Sequence, residues 1–243
     1  MPTGYPDYYM NTWNPLDSAV CTFKEDFLAG LENDGSIGEY GWRANEIGAG
    51  AYLAAVTCAW PNIGQVEIGG TSAADNGLAL CLHRETQFGN LGAHSPWDSL
   101  FVFKLTGDLT KTRARVGWCA GNPGTIQPAN GIWFRYDVAV GFADAAMKLC
   151  VRHVSTDPEV VLSTGLAADT GFHTLRIRSL DAGVALFTLD YGTEYSFGPA
   201  GCDVTVTLPT GGLEPFFCCG TSDGTPAAMD CDYAAFQTWG MSR

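Results

Sequence analysis

From Ala19 onward, apolar and polar residues alternate in short runs separated by glycine, proline, aspartate and asparagine. In GIWFRYD, Ile132, Phe134 and Tyr136 fall on one face while Trp133, Arg135 and Asp137 fall on the other, the period-two signature of a strand. The same reading predicts strands at 19–24, 51–57, 64–69, 77–83, 99–106, 112–119 and 131–138, and then at 146–154, 159–163, 172–179, 184–191, 203–208, 213–220 and 229–238. No segment keeps a helical period beyond two turns. So many short strands, punctuated by 30 glycines and 12 prolines, predict an all-β fold, an antiparallel two-sheet β-sandwich of jelly-roll type.

Residues 1–18 break this pattern. They hold three prolines, Tyr5, Tyr8, Tyr9 and Trp13 without alternation, and are expected to form an extended N-terminal arm preceding a domain at 19–243. Such an arm either packs on its own domain or docks on a neighbour through its large aromatics, which interfaces favour.

Charge narrows the partners. With 13 basic and 26 acidic residues the formal charge is −13, so neither nucleic acid nor an anionic membrane is an expected partner. No apolar run is long enough for a membrane helix, and the opening MPTGYPDYYMNTWNPLDS lacks the charged and apolar regions of an export signal. Synthesis in the cytoplasm is the expectation. Of the nine cysteines, Cys58, Cys81, Cys150, Cys218 and Cys219 sit in apolar runs, where free thiols behave as small hydrophobes.

Four longer stretches carry a resemblance: FKEDFLAG followed by GSIGEYGWR, the central PANGIWFRYD, the pair FHTLRIRSLDAGVALFTLDYG, and the closing MDCDYAAFQTW. Across roughly residues 20–239 the chain resembles the concanavalin A-like lectin/glucanase jelly rolls, in the versions found in tailed-phage structural modules. That resemblance implies a virion protein, either a capsid decoration (cement) protein or a tail-associated one.

The fold family includes glycan hydrolases, which need two carboxyl groups on one strand face. No ExDxxE-like strand is present, and VEIGG offers Glu67 alone. Asp230 and Asp232 share a face of MDCDY, while Asp190 with Glu194 reads as a turn; all are expected to be solvated or turn-capping. There is no phosphate-binding loop, and only a loose His94, Ser95, Asp98 grouping. The oxygen-rich turns at 33–35 and 222–225 read as ordinary Asx-Gly turns, so no metal and no cofactor are assigned. A non-enzymatic protein is the expectation.

One group stands out. Seven of the thirteen basic residues, Arg113, Arg115, Arg135, Lys148, Arg152, Arg176 and Arg178, alternate in strands between 112 and 178. If those strands pair consecutively, the seven share one sheet face with Trp133. That face is either a set of exposed charges paired across strands to acids such as Asp137, or a surface for an acidic partner. The partners considered are the major capsid protein or other virion subunits, a second copy of the chain, and a cell-surface glycan. The leading reading is a capsid decoration protein, and the alternative a glycan-binding module, ahead of a glycoside hydrolase.

Overall fold

The computed structural model describes residues 21–25, 27, 36–37, 42–56, 64–71, 73–82, 89–90, 97–120, 125–180, 183–209 and 212–238. They form strands and no helix: β1 (Cys21–Glu25), β2 (Ser36–Ile37), β3 (Trp42–Ile47), β4 (Ala51–Ala55), β5 (Val66–Gly70), β6 (Gly77–Cys81), β7 (Gly89–Asn90), β8 (Trp97–Gly107) and β9 (Thr112–Cys119). The series continues with β10 (Gly131–Asp137), β11 (Lys148–Arg152), β12 (Val160–Ser163), β13 (Phe172–Leu180), β14 (Val184–Leu189), β15 (Glu194–Gly198), β16 (Val204–Thr205), β17 (Gly212–Thr221) and β18 (Ala227–Thr238).

Two sheets result. The first runs β16-β15-β14-β13-β8-β18-β5-β4, with β1 also on β18; the second runs β12-β11-β10-β9-β17-β6-β3-β2, with β7 on β17. All pairings are antiparallel except β15 with β16. The fold is thus the antiparallel two-sheet sandwich that alternation predicted.

Alternation selects the face that each sheet turns inward. Phe101, Phe103, Leu105, Leu175, Ile177, Phe187, Met229 and Phe236 of the first sheet meet Val116, Trp118, Ile132, Phe134, Leu149 and Phe217 of the second, all buried. Aromatic rings join the layers: Phe101 and Phe217 lie edge-on at 5.6 Å, and Trp97 lies 5.1 Å from Trp118. The indole of Trp118 donates to Ser99 Oγ at 3.0 Å, and that hydroxyl donates to the Ile177 carbonyl at 2.9 Å, so these two polar groups are satisfied inside the core.

The second sheet is buried on its other face as well. Ile47, Ala79, Cys81, Cys119, Ile126, Trp133, Cys150, Phe216 and Cys218 form a separate apolar cluster there. Residues 125–130 fold over it, bringing Ile126 onto Cys218, whose thiol donates to the Ile126 carbonyl at 3.9 Å. Gly117 makes this layer possible. A Cβ at that position would lie 2.8 Å from Trp133 Cα, and its φ of 149° suits glycine, so the bare backbone lets Trp133 and Phe216 meet edge-on across it at 6.4 Å.

Alternation missed two longer strands. In β3 (WRANEI) Trp42 packs into the main core and Ile47 into the second cluster, so both faces are occupied and no binary pattern appears. In β15 the paired positions Tyr195 and Phe197 stand in a stretch of only five residues ending at Gly198. The short β2 and β7 carry too few residues for any period.

Candidate functional site

The outer face of the second sheet is where the basic residues gather. Register sets Arg113 opposite Asp137, Arg115 opposite Arg135, and Arg135 opposite Lys148, while Trp133 stands between Gly117 and Cys150. Two guanidinium groups facing each other across a ladder repel, so this row requires acids brought in from elsewhere. The loop after β10 supplies one. It turns back through Ala143 (φ 46°), so that Asp144 N donates to the Asp137 carbonyl at 2.9 Å and Asp137 N donates to Asp144 Oδ2 at 3.1 Å.

A dense ion-pair layer follows. Arg135 grips Asp144 through two parallel bonds, Nε to Oδ2 at 2.8 Å and Nη2 to Oδ1 at 3.0 Å, and its Nη1 donates to Glu159. The other Glu159 oxygen accepts from Trp133 Nε1 at 2.8 Å. Arg113 holds Asp137 likewise, Nε to Oδ1 at 2.9 Å and Nη2 to Oδ2 at 3.1 Å, and reaches Asp75 with Nη1. Arg115 Nη2 donates to Asp137 Oδ2 at 2.8 Å, while its Nε and Nη1 have no partner among the described residues. The Phe142 ring caps all three guanidinium carbons at 5.9, 5.5 and 4.8 Å for Arg113, Arg115 and Arg135.

Burial governs the electrostatics. Arg115 and Asp137 are 0 % exposed, and Arg113 and Arg135 only 6 % and 5 %. Burial opposes the Asp137 charge, but Arg115, Arg113 and the Ala139 N–H outweigh it and hold the carboxyl below its ordinary value. Burial likewise opposes the Arg135 charge, and the Asp144 hydrogen bond with nearby negative groups more than restores it. Asp137 and Arg135 are thus both held in their charged forms.

The seven cations do not share one face. Arg113, Arg115, Arg135, Lys148 and Arg152 lie on the second sheet, but the chain crosses to the other layer after β12, placing Arg176 and Arg178 on the first. Alternation reports which face a side chain takes and says nothing about which sheet the strand joins. Arg152 clasps main-chain carbonyls of Asp157, Pro128 and Ser155 at 3.0, 3.3 and 2.5 Å, and Lys148 is half-buried beside Ser163. Arg176 Nε donates to Asp98 Oδ1 and Oδ2 at 2.9 and 3.1 Å, and Arg178 pairs with Glu194. Trp133 is fully buried and presents no ring to solvent. Tyr5, Tyr8, Tyr9 and Trp13 lie outside the described residues, as do His94, Ser95 and the turn at 33–35.

Two acid groupings differ from expectation. Asp230 and Asp232 are buried, not solvated, at 5 % and 3 % exposure, and the ladder shifts register between Cys231 and Tyr233. Asp230 instead faces Glu67 across the β5–β18 ladder, with the two carboxyl groups within hydrogen-bonding reach. Burial, then the Glu67 charge, push the Asp230 carboxyl up to about 6. Sequence alone offered no signal for this pair, because it requires knowing that the closing strand lies beside VEIGG. Asp190 is no simple turn cap either. It accepts from Thr174 N at 2.7 Å and bonds His173 Nδ1 at 2.8 Å, and although burial opposes the imidazolium charge, the Asp190 hydrogen bond and charge carry the His173 pKa above its ordinary value. At 222–225, Asp223 pairs with Lys111 and accepts from Thr225 N at 3.0 Å. Among the described residues no cluster of three or more metal-ligating side chains occurs.

No protein-family model matches the sequence, and no curated relative does. Solved structures do resemble it. The Emp47p carbohydrate recognition domain aligns with a TM-score of 0.58 at 12 % identity, covering 92 % of this chain and 98 % of that one. Peanut lectin aligns at 0.55 and 10 % identity, over 92 % and 99 %. A conserved carbohydrate esterase of the Shiga toxin-encoding bacteriophage phi24B aligns at 0.52 and 18 % identity, over 91 % and 100 %. At these identities the likeness is one of fold, and the fold of this chain is the lectin-type β-sandwich.

Proposed function

We propose that the chain is a non-enzymatic attachment module, and that its partner is a subunit of a phage-like particle, which it decorates. The observation that carries this reading is the locked ion-pair layer of Arg113, Arg115, Arg135, Asp137, Asp144 and Glu159. In a hydrolase of this general shape two carboxyl groups stand open to substrate. Here the acids of the second sheet's outer face are committed to arginines beneath Phe142, a use that favours a rigid scaffold over turnover. The aromatic sequence at 1–18 supports attachment, since Tyr5, Tyr8, Tyr9 and Trp13 offer the large amphipathic rings that interfaces use.

The test is co-sedimentation with particles assembled without the protein. Full-length chain is expected to pellet with them, and a chain lacking residues 2–18 to remain in the supernatant with an unchanged melting temperature. Equal binding by both would sink the arm's role, and no binding by either would sink the decoration reading. A second reading is supported by the lectin-type neighbours, which span 92 % of the chain: the module binds a surface glycan. Saturable binding on a glycan array, without particle binding, would favour that reading instead.

A further inference from the structure

One edge of β18 carries two different partners. Residues 227–231 pair with β5 and residues 234–238 with β1, and the register shift between Cys231 and Tyr233 separates them. Asp230 lies in the first segment, between Glu67 of β5 and Lys104 of β8. Asp230 Oδ1 meets no donor among the described residues, and the Lys104 ammonium is drawn to within 5.8 Å of the Phe172 ring centroid. Glu67 Oε2 accepts from Thr106 Oγ1 at 3.2 Å.

The surroundings add little positive charge. Tyr52 of β4 hydrogen-bonds Glu67 and lies over Gly69, where a Cβ would stand 2.8 Å from its ring. Burial, then the Glu67 charge, push its phenol well up, so it is neutral. Asp232 adds a further negative charge near Asp230 and accepts from Gln65 Nε2 at 3.1 Å. Beneath, on the core side, the Cys219 and Cys231 thiols are kept neutral by burial. Two carboxyl groups in contact, one of them buried, cannot both ionise cheaply.

We propose that Glu67 and Asp230 share one proton and so form an acid-operated latch that fastens the β4–β5 edge to the central strand β18. With the proton present, the pair is a hydrogen bond across the ladder. Without it, two like charges face each other between β5 and β18, and β4, which enters the sheet through β5, loosens with it. The sign follows from Asp230: its carboxyl is raised in the folded chain, so the stabilisation is complete below the unfolded value of about 3.8 and is lost as pH rises through about 6.

Hydrogen exchange at pH 5 and pH 8, corrected for intrinsic rates and run in EDTA, tests this. Protection at residues 51–55 and 66–70 is expected to fall about tenfold or more at pH 8 relative to the amides of β9 and β10, and both Asp230→Asn and Glu67→Gln to remove that difference. Equal relative protection at the two pH values, or a full pH response retained by Asp230→Asn, would overturn the latch. So would recovery of protection at pH 8 on adding calcium alone, which would make a cation, not a proton, the closing group. Should the variants fail to fold, carboxyl carbon NMR of the wild-type chain decides: an Asp230 midpoint of about 6 is expected, and one near 3.8 would overturn the latch.

Discussion

Arg135 and Asp144 meet through two parallel hydrogen bonds of 2.8 and 3.0 Å, although one sits in a strand and the other in the loop that folds back over it. Both side chains are almost wholly buried, so removing Asp144 takes two acceptors from a buried guanidinium that keeps only Glu159, and removing Arg135 leaves Asp144 as a buried charge without its cation. Asp144→Ala is expected to cost about 3–5 kcal/mol, read as a lower urea midpoint at unchanged slope. Arg178→Ala removes a pair whose side chains are 31 % and 40 % exposed, and should change stability by less than about 1 kcal/mol. Similar losses from both variants would contradict the burial argument.

The contrast between these two pairs marks what was legible in the sequence. TRARVGWC and GIWFRYD assign every side chain to its correct face, because a strand's period survives any environment. The polar face of those strands nonetheless reads as wet when it is dry. A clue was present: Cys119, Trp133 and Cys150 alternate in step with the arginines of their strands, and apolar residues on a charged face mean that something covers it. Of the acids that neutralise it, Asp144 comes from a loop position to which periodicity assigns no face, and Glu159 from the first residue of the strand expected at 159–163, just ahead of β12. Arg176 and Arg178 belong to the other sheet, a placement that alternation along a strand does not report.

Gly117 is expected to tolerate no side chain. In Gly117→Ala the new Cβ meets Trp133 Cα at 2.8 Å within a paired ladder, so backbone must move and the Trp133–Phe216 contact must open. A loss of more than about 2 kcal/mol is expected, of the size that overpacking and backbone strain produce. A melting temperature within a degree of wild type would show that the second apolar layer is not tightly packed at this point.

Thiol reactivity should sort by burial. Cys81, Cys119, Cys150, Cys218, Cys219 and Cys231 form no disulfide and are buried, whereas Cys202, also outside any disulfide, is half-buried. Burial pushes the Cys218 thiol up to about 12 and those of Cys119, Cys150, Cys219 and Cys231 well up, so little thiolate forms at neutral pH. With iodoacetamide at pH 8, peptide mapping is expected to find Cys202 alkylated first among these seven, and the six buried thiols modified only after urea is added. Rapid labelling of Cys119 or Cys218 in the native chain would mean that the layer over them opens readily.

Titration of single side chains separates two opposite pH effects. The Asp137 carboxyl is held below its ordinary value, so its contribution is present above the unfolded value of about 3.8 and is lost as pH falls through its lower folded value. The His173 imidazole is held above 6.5, so its contribution is complete below 6.5 and is lost as pH rises through its higher folded value. Two-dimensional NMR of the folded chain should therefore give an Asp137 midpoint under 3.8 and a His173 midpoint over 6.5. Asp190→Asn removes the carboxylate bonded to His173 Nδ1 at 2.8 Å, leaving burial to oppose the imidazolium charge, and the His173 midpoint should fall. A His173 midpoint indifferent to Asp190→Asn would place the source of its shift elsewhere, with Asp169 the next group to replace, since its side chain lies 3.6 Å from Nε2.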